Sequence, residues 1–392
     1  MNNNKKKIDI IQLFSGIGVV IDEEIHSDDK NPNGIQKIVQ SIESKNVPVL
    51  KYESLPGDAA VLNFHSISFV ILDWNLSGMK PIPQATIDDN IEFIKRLKEV
   101  AYVPIFVFSD EDSNDIEYAL SEHNITSQNS PIFVKKKDDL DSAEKLFHEI
   151  ELWTKQTPSV YVLKEWERAT QKAKTKMMWD LSSVHPSWPK ILMKTFKKDG
   201  EDKHVELMNS LQNNLSYRID HTLFDDNVIC QINDEISKDD LRKIIECERF
   251  VTNEILPDHP YAGDIYLIED KYLLNIRPDC DIIRDPDKKR LYLLEGEIID
   301  EEKINSQDKD SILFNSGEFI EKNNCCYVAF VFGKILKFSL IEMEMKQWKD
   351  IKVNRIGRLL PPFITKIQQK YSAYIQRQGL PRIPDEALNL NK

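Results

Sequence analysis

No apolar run in the chain approaches the roughly 18 residues a membrane-spanning helix needs, which argues against a helical membrane protein. No two cysteines form a C-x-x-C pair, and the five present (Cys230, Cys247, Cys280, Cys325, Cys326) are odd in number. Neither a zinc site nor a redox centre is therefore indicated, and reduced, mostly buried thiols are expected. Positive charge is in deficit: a net charge of −13 opposes general binding to nucleic-acid phosphates. The stretch Met1 to Lys7 is not followed by the apolar core of a secretory signal, so a cytoplasmic protein is expected. Internal repeats are also lacking. What is present is ordinary for a soluble globular protein, 41% hydrophobic and 30% charged residues. At 392 residues the chain exceeds one usual domain, so two or three are expected.

The first part alternates short β-branched runs with polar helical stretches. Gly18 to Ile25, Ser68 to Leu72, Val103 to Phe108 and Pro131 to Val134 read as strands buried on both faces, with a further strand over Val47 to Tyr52. Gly34 to Lys45, Asp89 to Val100 and Asn114 to Glu122 carry helical spacing between them. This βαβ pattern predicts a doubly wound parallel sheet, in which functional groups collect at the carboxyl ends of the strands. From Asp138 to Leu256 the pattern is helical, over Leu140 to Trp153, Val160 to Leu181, His204 to Leu223 and Lys238 to Glu254. After Pro260, short strands return (Gly263 to Ile268, Tyr272 to Ile276, Arg290 to Leu294, Cys325 to Phe332, Ile335 to Phe338), and a helix over Pro362 to Gln376 closes the pattern. The expected domains are 8–153, 154–256 as a helical connector, and 257–392 as a small, barrel-like β-rich region with a closing helix.

The carboxyl ends of the N-terminal strands bear Asp22 and Glu23, then Asp73, then Ser109, then Lys135. Each residue alone has a bland reading: Asp73 as a helix cap, Glu23 as surface charge, Lys135 as part of a solvated KKK run. Together, acids, a hydroxyl and a lysine on one rim suit phosphoryl transfer to a carboxylate, where positioning and electrostatics do most of the catalysis. The motifs VVIDEE, FVILDWNLSG, PIFVFSD and FVKK, spread over residues 10 to 153, resemble those of the response-regulator receiver family, which has a flavodoxin-like fold. The resemblance implies Asp73 as phosphoacceptor and Ser109 and Lys135 as the switch and charge-neutralising residues. It further implies Mg²⁺ held by Asp22, Glu23, Asp73 and the Asn75 backbone carbonyl. Asn75 and Glu111 resemble the residues that speed dephosphorylation in chemotaxis receivers, so a short-lived phosphoryl group is expected. The partner implied is a histidine kinase, together with response-regulator-type effectors of the same system. Two departures stand out: no proline follows the lysine, and the aromatic switch residue has no clean counterpart, Phe133 being nearest but out of step.

The remainder has no helix-turn-helix pattern. An atypical receiver on a long body that does not bind DNA resembles the phosphate-absorbing buffer component of Detocs-type anti-phage systems, which implies a phosphoryl sink in phage defence. The alternative is a receiver-gated effector, an enzyme or toxin in the C-terminal part. The stretch from GDIYLI to NIRPDCDII loosely resembles the first strands of small SH3-like barrels in growth-inhibiting toxins. Asp279, Cys280 and Asp281 read as a turn with a buried thiol rather than a nucleophile site. His185, His204, His221 and His259 lack metal-ligand spacing.

Overall fold

The computed structural model describes residues 14–27, 34–127, 130–140, 142–200, 202–220, 224–230, 236–282, 290–300, 319–320 and 324–376. His221 and the Pro-containing tail lie outside them. The chain divides into two compact units, Met1–Ser183 with Asn214–Asp234, and Val184–Asn213 with Glu235–Lys392. The helical stretch 154–256 is divided between these two units. No helix among the described residues is long and apolar enough to cross a membrane.

The first unit is built on a five-stranded parallel sheet in the order β2-β1-β3-β4-β5, where β1 is Ile17–Ile21, β2 Val49–Tyr52, β3 Ile67–Leu72, β4 Ile105–Ser109 and β5 Ile132–Lys136. Alternation along the strands sends successive side chains to opposite faces. In β3, Phe69 and Ile71 pack on one face, together with α1 (Gly34–Glu43), while Val70 and Leu72 pack on the other. After the four-residue α2 (Asp58–Val61), α3 (Gln84–Val100) and α4 (Ser113–Glu122) cover that second face. The first face is closed by α5 (Ala143–Gln156) and by Val160 and Tyr161 at the start of α6 (Pro158–Val184). Helices on both faces make the sheet doubly wound. Each fully buried Ile or Leu in these layers contributes about 2 kcal/mol. Gly18 is required by close packing, since a Cβ there would come 2.3 Å from the Phe69 ring.

The second unit carries α7 (Trp188–Lys198), α8 (Lys203–Ser216 in its greater part) and α10 (Lys238–Arg249), none of which has a buried residue; the short α9 (Asp226–Ile229) belongs to the first unit. Its sheet is an open, curled, antiparallel array of eight strands in the order β10-β11-β12-β9-β8-β7-β13-β6. Here β6 is Phe250–Thr252, β7 Asp264–Ile268, β8 Lys271–Asn275, β9 Arg290–Ile299, β10 Phe319–Ile320, β11 Cys325–Val331, β12 Lys334–Gln347 and β13 Arg355–Leu359. Single-turn helices α11 (Asp279–Ile282) and α12 (Trp348–Ile351) and the closing α13 (Phe363–Gln376) complete it.

Two sequence expectations change here. The helix expected through Glu254 stops at Arg249, because Phe250–Thr252 pair with β13 as a sheet edge. The thiols are not mostly buried: Cys230, Cys247 and Cys280 are exposed, and only Cys325 and Cys326 are core. Cys280 lies in α11, where only Ile282 turns inward.

Candidate functional site at the carboxyl edge of the parallel sheet

Asp22 follows β1 and Asp73 follows β3, and the register Ile21↔Leu72 brings the two strand ends side by side. One ligand atom each from Asp22, Glu23 and Asp73 lies within 4.8 Å of the others. Asp22 is fully buried and Asp73 nearly so. The turns that present them are held by their own backbone: Glu24 N–H donates to Asp22 Oδ1 at 2.9 Å, and Asn75 N–H donates to Asp73 Oδ1 at 3.2 Å.

One cation answers these acids. Lys137 Nζ stands 2.7 Å from Asp73 Oδ2 and 2.7 Å from Asp22 Oδ2, bridging the two carboxylates. The structure therefore corrects the lysine. Lys135 lies within β5, opposite Phe108, and its ammonium pairs with Glu149 of α5 at 2.9 Å. Lys136 reaches Asp112 at 3.6 Å. Lys137 is the first residue past the strand, in the 3₁₀ turn Lys137–Leu140, where the chain bends over the rim. Three consecutive lysines look alike in sequence; only the end of strand pairing separates them, and a terminal residue by pattern is uncertain by one or two positions.

Burial pushes the Glu23 carboxyl up to about 7, helped by the charges of Asp73 and Asp22. Asp22 is also raised, chiefly by burial, with Lys137 opposing. For Lys137, burial acts downward, but the charges of Asp73 and Asp22 outweigh it and hold the ammonium protonated.

Three carboxylates against one ammonium leave a site two charges short of neutrality when all are ionised. Glu23 Oε2 is buried with no hydrogen-bond partner among the described residues. Hard oxygen donors, an excess negative charge matching a divalent ion and an orphaned carboxylate oxygen fit Mg²⁺. Asp22, Glu23 and Asp73 are the residues that would hold it. Ser109, at the end of β4, is 1% exposed and its Oγ likewise has no partner among the described residues.

Asn75 and Glu111 do meet: Asn75 Nδ2 donates to Glu111 Oε1 at 3.2 Å and to the Met79 carbonyl at 3.0 Å. Ser77 Oγ donates to Asn75 Oδ1 at 2.8 Å, and Gly78 takes φ +61° to close the turn. Phe133 is half-buried, stacked on Trp153 at 5.6 Å and edge-on to Phe106 and Phe108, so it sits in an aromatic cluster beneath the sheet rather than at the rim. Sequence reasoning missed Asn90, a fully buried residue of α3 that donates from Nδ2 to the Trp74 carbonyl at 2.7 Å. Its signal was a polar residue in the apolar stripe of a helix, with Ile91, Ile94 and Leu97.

The order β2-β1-β3-β4-β5 is that of flavodoxin-like doubly wound sheets. The parallel sheet fits a receiver-like fold. No family model matches the chain, and no curated protein matches it. Among solved structures it is similar to a response regulator from Burkholderia pseudomallei with a phosphorylated aspartic acid, a calcium ion and citrate (12% identity, 41% of this chain and 85% of that one, TM-score 0.25). It is also similar to a fusion protein carrying the yeast Spc42 trimeric coiled coil (11% identity, 43% of this chain and 93% of that one, TM-score 0.26). At such scores neither likeness carries weight for function.

Proposed function

We propose that the first unit is a phosphoacceptor module that takes a phosphoryl group from a partner histidine kinase onto Asp73. The observation that carries this reading is the convergence of Asp22, Glu23 and Asp73 within 4.8 Å of one another beside the buried ammonium of Lys137, on the rim where β1, β3 and β4 end. A merely structural cluster would be neutralised by its own partners; this one is not.

In the proposed step an Asp73 carboxylate oxygen attacks the phosphorus of a phosphohistidine. The O–P bond forms as the P–N bond breaks, and its electron pair leaves on the imidazole nitrogen, which takes up a proton. The product is an aspartyl phosphate, which water later hydrolyses to carboxylate and inorganic phosphate. Bound Mg²⁺ would supply positive charge against the repulsion between carboxylate and phosphoryl oxygens. Lys137 exchanges its contact with Asp73 for a phosphoryl oxygen, and Ser109 Oγ, otherwise unpartnered, donates to another. Asn75 and Glu111 govern the lifetime of the acyl phosphate: the Asn75 amide orients the attacking water, and Glu111, bonded to it at 3.2 Å, steadies that amide. A fast-emptying site suits a sink for stray phosphoryl groups, and the sink form in phage defence rests on the resemblance of layout alone.

Mg²⁺ with acetyl phosphate or beryllofluoride tests the reading, by intact mass and by fluorescence of Trp74, which adjoins Asp73 and is 2% exposed. The expected result is a labile adduct of one phosphoryl group and a Mg²⁺-dependent fluorescence change, both lost in Asp73→Asn. No adduct, even with a cognate kinase, overturns it.

A further inference from the structure

We infer that Asn90 is a positioning residue for the acceptor turn, clamping the peptide between Trp74 and Asn75 and thereby fixing the Asp73 carboxylate. The inference rests on the phosphoacceptor reading above. That peptide is pinned at both ends: its carbonyl, from Trp74, accepts from Asn90 Nδ2 at 2.7 Å, and its N–H, from Asn75, donates to Asp73 Oδ1 at 3.2 Å. Because a peptide unit is planar, its C=O and N–H turn together, so loss of the Asn90 bond releases the hydrogen bond to the acceptor as well.

The surroundings of Asn90 show that it is not there for the helix. Its neighbours Ile91, Phe93, Ile94 and Leu97 are all buried apolar side chains, and Asn90 itself is 0% exposed. Its Oδ1 finds no hydrogen-bond partner among the described residues. A leucine of similar size would bury better and leave no orphaned acceptor; what it lacks is the donor to Trp74. Nothing else in the described structure engages this carboxamide. The clamp also comes from outside the turn it fixes. The segment from Asp73 to Pro83 is long, and its inner contacts, Ser77 to Asn75 and Asn75 to Met79, hold the far side of the loop but not the acceptor peptide.

The test is Asn90→Leu in the full chain, read as Mg²⁺ affinity from Trp74 fluorescence and as labelling rate with acetyl phosphate at limiting and saturating Mg²⁺. Outer residues that orient metal ligands typically change affinity about 10- to 100-fold. The expected result is a loss of that size in Mg²⁺ affinity, with labelling slowed most at limiting Mg²⁺ and thermal stability in EDTA kept. Equal Mg²⁺ affinity in Asn90→Leu and wild type overturns the clamp. If the variant fails to fold, hydrogen exchange of the Asn75 amide in the wild type decides: protection well above that of the neighbouring loop amides supports the clamp, and exchange as fast as theirs overturns it. A wild type that binds Mg²⁺ but is never labelled sinks the phosphoacceptor reading while the Mg²⁺ ratio still judges the clamp.

Discussion

Asp22 at the rim of the parallel sheet and Asp264 within the antiparallel sheet are both fully buried, yet their surroundings differ in sign. Asp264 accepts from Arg358 Nε at 2.6 Å, the Tyr261 N–H at 3.0 Å, the Tyr266 hydroxyl at 3.3 Å and Arg355 Nη1 at 3.5 Å. Two arginines answer one acid, and they donate further to the His259 and Pro257 carbonyls and to Asn253. Around Asp22, one lysine answers three acids, and Glu23 Oε2 and Ser109 Oγ are left over. A closed network fixes strands; an open one needs a ligand. Buried charge alone therefore does not mark a site, whereas an unbalanced and unpartnered cluster does.

The largest effect should come from breaking the closed network. Asp264→Ala strands two guanidinium groups and should cost about 3–5 kcal/mol in denaturant unfolding. A loss below about 1 kcal/mol would show that water replaces the aspartate freely, and the contrast between the sheets would fail.

Next is the lysine. Lys137→Met should slow labelling by acetyl phosphate about 100-fold, the usual cost of losing one preorganised charge-stabilising donor, while tightening Mg²⁺ binding because a competing cation is gone. Lys135→Met, whose pair with Glu149 is partly exposed, should leave the labelling rate within about twofold. The reverse ranking would restore Lys135.

Acidity sharpens the contrast further. With Glu23 raised from its ordinary 4.5 to about 7, the folded state without metal holds this proton more tightly than the unfolded chain does. Its contribution to stability is fully present below about 4.5 and is lost as pH rises through about 7. Melting in EDTA should therefore show a fall across that window that Glu23→Gln lacks, and saturating Mg²⁺ should abolish the difference. The smallest effect concerns lifetime: Glu111→Ala removes one of the two hydrogen bonds that hold the Asn75 amide and should lengthen the life of the aspartyl phosphate about fivefold, the worth of one modest hydrogen bond, and Asn75→Ala should lengthen it further. Pulse-chase decay of the labelled protein reads both.

Several features were legible in the chain. Short, continuous β-branched apolar runs marked β1, β3, β4 and β5, and because functional groups gather at strand ends, Asp22, Glu23, Asp73 and Ser109 could be placed on one rim. The offsets of Asn75 and Glu111 after Asp73 and Ser109 single out both residues, but the hydrogen bond between them is seen only in the structure. The second unit was read less well. β13 went unread, and β12, expected over Ile335 to Phe338, continues to Gln347 through a register shift past Phe338. Its later residues, Ile341 and Met345 among them, are exposed, so the burial pattern that reveals strands is missing there.

By itself the sequence determined the local order of elements and the chemistry available at each strand end, because side-chain alternation and turn residues act over a few positions. Tertiary structure alone decided which of three adjacent lysines faces the acids, since that depends on where β5 stops pairing with β4. It alone decided that Asn90 reaches the Trp74 carbonyl, since that hydrogen bond joins a helix to a loop 16 residues away. It also decided that the buried acid of the antiparallel sheet is met by two guanidinium groups while three acids at the rim of the parallel sheet share one ammonium. Charge balance is set by which partners folding brings within a few ångströms, and residues such as Asp264 and Arg355 are 91 positions apart before it does so.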